Sequence, residues 1–223
     1  MDTRQARSRI EKRGALLVFP IDNRKEFPSL WSEFYPRTKM LWEWDEGGDD
    51  RVPKLWHLRT QLAEGRRVVY AKWFKGRATF FSFEAFPYFL RLLQPKGNHR
   101  EGLSSTARHL LEILDMDSPL STKELRLSAD LKGKFNEPIY TKAMNELWTR
   151  LLIVGTGEKD DGAFPSLMIA STRLWFEDLW NAAFEATEEE SQQKLDGLGL
   201  AADSPFRKFL DRQINVGRQR PKQ

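Results

Sequence analysis

Apolar positions along the chain fall into two blocks, separated by the polar segment PKGNHREG at 95–102. In the first block, ALLVFP at 15–20 is a short apolar run closed by proline, which predicts a buried strand. Pro28 to Trp31 opens a short helix. From Pro53 to Glu64, Leu55, Leu58 and Leu62 recur at i, i+3 and i+7, the spacing of one helix face, and Gly65 ends the pattern. Two aromatic runs follow, RVVYAKWF at 67–74 and ATFFSF at 78–83, flanking Lys75, Gly76 and Arg77. They predict a hairpin, and strict alternation puts Tyr70, Lys72 and Phe74 on one face. Glu84 to Leu93 predicts a short helix with Pro87 in its first turn.

The second block has a clearer order. Ser104 or Ser105 can cap a helix whose stripe is Leu110, Leu111 and Leu114. Ser121 to Glu124 is a capping box that opens a second helix, since each side chain can bond the other residue's backbone amide. Asn136 can cap a third helix, with Pro138 in its first turn and Ile139, Ala143, Met144 and Leu147 as its core face. LLIVGT at 151–156 and LMIA at 167–170 predict two strands around a polar tip at 157–162. Three helices followed by a hairpin is the order of a winged helix, and its second and third helices form a helix-turn-helix. Trp175 to Glu190 predicts an acidic helix with Trp175, Leu179, Ala183 and Phe184 inward, and Ser204 to Val216 a final one.

The expected fold class is therefore α+β. A winged helix-turn-helix unit at 103–176 follows an N-terminal winged-helix-like α/β unit at 14–95 that carries the basic β-hairpin. A helical extension at 177–216 and a disordered tail at 217–223 complete the expected domains.

Charge sharpens this picture. The net charge is only +4, but it is unevenly spread. Residues 1–13 carry five basic and two acidic side chains, 204–223 six and one, and 66–77 five and none, while 43–50 and 177–190 are acidic. Clustered cations suit phosphate, although for the two termini a solvated tail stays open as the alternative. Without cysteine there is no disulfide or thiolate metal site, and His57, His99 and His109 show no ligand spacing, so neither metal nor cofactor is expected. The charged N-terminus does not read as a signal peptide and no run is long enough to span a bilayer, which leaves a cytoplasmic protein as the expectation.

Two surfaces emerge as candidates. The outward face of the third helix presents Thr141, Lys142, Asn145 and Thr149, residue types that suit phosphate and base-edge contacts. The hairpin gathers Lys72, Lys75 and Arg77 beside aromatics, the pairing used to hold phosphates and stack bases. The aromatics, together with Trp42, Trp44 and Trp56, are expected in the core. Glu158, Asp160 and Asp161 outweigh Lys159 at the wing, so the wing should be repelled by phosphates. Asp45, Glu46, Asp49, Asp50 and Glu64 are available for acid-base work, with nothing in the sequence to raise their pKa values. Arg59 and Gln61, on the helix leading into the hairpin, are candidates to line a cleft.

Several segments carry a family resemblance: LLVFP at 16–20, PSLW at 28–31, RRVVYAKWFKGRATFFSFEAFPYF at 66–89, PLSTKELR at 119–126 and ELWTRLLIVGTG at 146–157. The chain resembles the short AlkZ-related proteins, distant relatives of the AlkZ/YcaQ winged-helix DNA glycosylases, over about 14–180. The resemblance implies tandem winged-helix-like units and a bias toward DNA. The larger enzymes position water with a Gln-x-Gln or Gln-x-Asp motif, and neither occurs in this sequence. No catalytic residue carries over. The expected function is duplex DNA binding linked to repair. The alternatives are a minimal DNA glycosylase for alkylated or crosslinked bases and a winged-helix module for a protein partner.

Overall fold

The computed structural model describes residues 1–42, 48–94, 98–200 and 202–219. Trp44, Asp45 and Glu46 lie outside the described residues, as do 95–97 of the polar segment and 220–223 of the tail.

The first charged stretch is helical. In α1 (Thr3–Arg13), Asp2 caps the amide of Gln5 at 2.8 Å, and Ala6 and Ile10 are fully buried. A single i, i+4 apolar pair is enough to dock a helix whose other faces are charged. Next come β1 (Ala15–Leu17), α2 (Leu30–Phe34) and α3 (Arg51–Glu64). The hairpin β2 (Val69–Phe74) and β3 (Arg77–Phe81) precedes α4 (Phe86–Leu93). Lys75 and Gly76 both take positive φ, 52° and 73°, the backbone a two-residue hairpin turn requires.

The second half runs α5 (Ser105–Met116), β4 (Leu120–Ser121), α6 (Thr122–Ser128), a 3-10 turn at Lys134–Asn136, α7 (Glu137–Thr149), β5 (Ile153–Lys159) and β6 (Ser166–Ser171). Ser104 caps α5, and Ser121 and Glu124 form the expected reciprocal box on α6. Asn136 does not cap α7: it belongs to the 3-10 turn, and its amide donates to the carbonyl of Lys132 at 2.9 Å. Ile139 is 44% exposed, whereas Tyr140 is buried. The inward stripe is Tyr140, Ala143, Met144, Leu147 and Trp148, and Ile139 falls at its edge in the first turn.

The expected acidic helix is three helices, α8 (Thr172–Trp175), α9 (Glu177–Glu185) and α10 (Glu188–Gly197). Thr187 and Glu190 form a capping box that starts α10 afresh, and Trp180 with Ala183 fills the core where Leu179 was expected to lead. In α11 (Pro205–Gln219), Phe206, Phe209 and Leu210 are buried as the sequence suggests.

The six strands among the described residues form one antiparallel sheet, ordered β1-β3-β2-β5-β6-β4. Two cores lie against it. One holds Ala15, Leu17, Val69, Ala71, Trp73 and Phe81 with α4, α5, α7 and α11. The other holds Leu16, Val18, Tyr70 and Phe80 with α1, α2 and α3. Burial on both faces explains why these strands read as continuous apolar runs.

The alternation expected along β2 fails at its end. Ala71 opposes Thr79 but Phe74 opposes Arg77, a one-residue bulge. The bulge turns Phe74 into the same core as Trp73, against Phe206 and Phe209 at 5.0 Å each, and leaves Lys72 on the face of Tyr70.

The two hairpins join where Tyr70 pairs with Gly155. A Cβ at 155 would lie 2.1 Å from the Tyr70 ring, so only glycine lets that ring cross β5. Gly155→Ala should therefore cost about 2–3 kcal/mol, in the range of core overpacking, and lower Tm by several degrees. Equilibrium denaturation checks this; an unchanged midpoint would contradict the crossing.

Candidate functional site

A cleft of about 660 Å³ opens at the seam between the hairpins. Its floor is built by α3. One helical turn carries Trp56, Arg59 and Thr60 to the same side, and Arg59 interrupts the stripe of Leu55, Leu58 and Leu62. Arg59 is 4% exposed. Its Nη1 donates to the Tyr70 hydroxyl at 3.1 Å, and its Nη2 donates to the Glu158 carboxylate across the seam. Thr60 Oγ1 accepts from Nη2 at 3.2 Å and donates to the other Glu158 oxygen at 3.0 Å. The guanidinium carbon sits 4.2 Å over Trp56 and 5.4 Å from Tyr70. Nε of Arg59 is buried without a hydrogen-bond partner.

The electrostatics follow from this packing. Burial works to lower the Arg59 pKa, but Tyr70 and Glu158 outweigh it and hold the value above the ordinary one. Burial raises the Tyr70 phenol, against the pull of Arg59. Lys72, on the cleft face of β2, is pushed below the usual ammonium range by desolvation and by the Arg59 charge, with Glu158 opposing.

The walls are aromatic and cationic. Phe19 lies 5.3 Å from Trp42 and is stacked 6.1 Å from Trp56. Trp56 is 45% and Phe164 83% exposed at the mouth. Arg77 of β3, Lys123 and Arg126 of α6 and Tyr140 of α7 also line it. Arg126 is held by Glu137 at 2.6 and 3.0 Å and lies 4.3 Å over the Tyr140 ring. Lys72 and Arg77 make no ion pair among the described residues.

Most charged side chains of the wing are paired within the protein. Glu158 serves Arg59, and Asp161 takes Lys123 at 2.8 Å and Ser166 at 2.7 Å. Lys159 pairs with Glu124 at 2.5 Å. Asp160 stays exposed. The hydrogen bond from Lys159 and the bonds with Ser121 pull the Glu124 carboxyl down to about 2.

Of the expected contact residues, Lys72 and Arg77 line the cleft. Lys75 is at the turn, its ammonium 5.7 Å from the Phe27 ring and 5.5 Å from Phe74, outside the lining. Thr141, Lys142 and Asn145 are exposed on α7 but do not line the cleft. Thr149 is half-buried: its hydroxyl donates to the Asn145 carbonyl at 2.6 Å, and its own carbonyl accepts from Trp73 at 3.1 Å. Trp56, expected in the core, forms the rim; Trp42 packs half-buried on the second core. Arg59 does line the cleft, whereas Gln61 is exposed elsewhere. The charge set within a leucine stripe marked Arg59. Nothing local marked Glu158, 99 residues away. Among the described residues there is no cluster of His, Asp or Glu that could hold a metal, and no helix is long and apolar enough to cross a membrane.

The Arg59–Glu158 link predicts strong coupling. Glu158→Leu leaves a buried cation unpaired and should cost about 3–5 kcal/mol, while Arg59→Leu with Glu158→Leu together should cost less than the sum. Denaturant melts of the three variants measure this, and strict additivity would disprove the link. A second expectation concerns pH. Because the folded Glu124 carboxyl is lowered from 4.5 to about 2, its contribution is full above pH ~4.5 and lost as pH falls toward 2. Carboxyl NMR should give a Glu124 midpoint near 2 that moves up in Lys159→Ala; a midpoint near 4.5 in the unmodified protein would contradict the pairing.

Comparison with known proteins agrees with the resemblance seen in the sequence. No curated protein and no solved structure matches significantly. A family model described as AlkZ related matches residues 2–199. The match spans most of the chain, including α1, both hairpins and every residue lining the cleft, and the protein therefore belongs to the AlkZ-related family.

Proposed function

We propose that this protein binds double-stranded DNA in a repair setting, through two packed winged-helix-like units, and takes a nucleotide into the cleft between their hairpins. The order α5, β4, α6, α7, β5, β6 supports reading 103–176 as a winged helix. Membership of the AlkZ-related family supports the link to repair. The observation that carries the reading is the cleft itself. Lys72 and Arg77 are uncommitted cations, and they stand beside the Trp42, Phe19 and Trp56 wall in a volume that suits a nucleotide. Cations unpaired within the protein are free to replace the counterions of phosphates. The exposed face of α7, with Thr141, Lys142 and Asn145, would contact flanking duplex.

The carboxylate of Glu158 beside these walls favours a second reading, base excision. Incubation with alkylated duplex followed by hot alkali tests it, and breaks no more frequent than in the untreated control would dismiss it.

For duplex binding, fluorescence anisotropy at rising salt is the direct test. Affinity should fall linearly with salt on a logarithmic plot. Lys72→Ala and Arg77→Ala should each weaken binding several-fold and flatten the slope by about one. Lys142→Ala with Asn145→Ala reports on the helix face in the same way. Absence of any affinity at low salt would end the proposal, and loss confined to the α7 variants would move the DNA off the cleft.

A further inference from the structure

Two primary amines line the cleft, Lys72 and Lys123. Lys123 is committed to Asp161, through the carboxylate at 2.8 Å and the backbone carbonyl at 3.2 Å. Lys72 makes no ion pair among the described residues and stands exposed on the floor face of β2 next to Tyr70, in the fields of Arg59 and Glu158. Desolvation and the Arg59 charge lower the pKa of its ammonium, against the pull of Glu158. An exposed amine that shares a cleft with a fixed buried cation gives up its proton more readily, and the neutral amine is a nucleophile toward carbonyl carbon. The surrounding groups specify which carbonyl. Arg77, which makes no ion pair among the described residues, suits a phosphate, and Trp56 and Phe164 at the mouth suit bases. A phosphate-flanked aldehyde between stacked bases is the ring-opened sugar of an abasic site.

We propose that Lys72 forms a Schiff base with the C1′ aldehyde of an abasic deoxyribose and cleaves the strand by β-elimination. This rests on the DNA-binding reading of the cleft. The neutral amine adds to C1′, and the carbonyl oxygen leaves as water, giving an iminium. Loss of the C2′ proton gives an enamine. Its electrons then form the C2′–C3′ double bond and expel the 3′ phosphate with the C3′–O pair. Water hydrolyses the conjugated iminium and returns Lys72 as the amine. No external oxidant or reductant is needed. Glu158, the sole carboxylate among the described lining residues, is held by Arg59 and Thr60, so the C2′ proton passes to solvent water.

The test uses the full chain and a labelled duplex with one abasic site, with sodium borohydride added to reduce the iminium. A covalent protein–DNA adduct and a strand break are expected, with the linkage mapped to Lys72 by mass spectrometry of the digested adduct. Lys72→Arg keeps the positive charge and should keep duplex affinity within about twofold in anisotropy, yet lose at least ten-fold in adduct. Lys208→Ala, on the exposed side of α11, should trap as the unmodified protein does. Binding of the duplex with no adduct above background, or an adduct that persists in Lys72→Arg, overturns the lyase and leaves DNA binding standing. If the duplex is neither bound nor trapped, both readings fall.

Discussion

The architecture hangs on one seam. Two hairpins from distant parts of the chain become one sheet where Tyr70 faces Gly155, and the tyrosine ring crosses β5 only because position 155 lacks a side chain. The same ring reaches Arg59, which holds Glu158 from the far hairpin. A backbone pairing and a largely buried ion pair thus fix one relative placement of the two halves. Apolar burial alone would tolerate small sliding of the halves, whereas a buried guanidinium without its carboxylate would not.

That seam also makes the cleft. Arg59 supplies the floor, and its charge is answered by a single carboxylate. The remaining positive charge in the lining is divided. Lys123 and Arg126 are tied to Asp161 and Glu137, and so brace the wing tip and the α6–α7 turn. Lys72 and Arg77 are left uncommitted, and Arg59 perturbs the first of them. Paired and unpaired cations therefore sit side by side, separated by whether an acidic partner lies within reach. Of the wing acids, Glu158 and Asp161 are used inside the protein, whereas Asp160 stays exposed.

The helices after β6 serve the opposite face. α9 and α11 bring Trp180, Ala183, Phe206 and Phe209 onto a core that already holds Trp73 and Phe74. The β2 bulge makes this possible, because it turns two consecutive aromatics to one side while Lys72 stays on the other. One backbone irregularity thus serves both the packing of the C-terminal helices and the placement of Lys72 in the cleft lining.

Local physics let the sequence settle much of this on its own. The capping box at Ser121 and Glu124, the leucine stripe of α3, the Lys75–Gly76 turn and the three helices followed by two strands after 104 were legible, because each depends on residues a few positions apart, whereas the short strand β4, where a turn was expected at 118–120, depends on its pairing with β6. The docking of α1 through Ala6 and Ile10 was not, since two apolar residues among charges carry little periodic signal. Nor was the exposed position of Trp56, or the flip of Phe74 at a bulge that propensity does not encode. The cleft lay furthest from view. Arg59 was conspicuous only as a charge in an apolar stripe, and Glu158 only as one of several wing acids. Their pairing depends on contacts 99 residues apart, which the tertiary structure alone could decide.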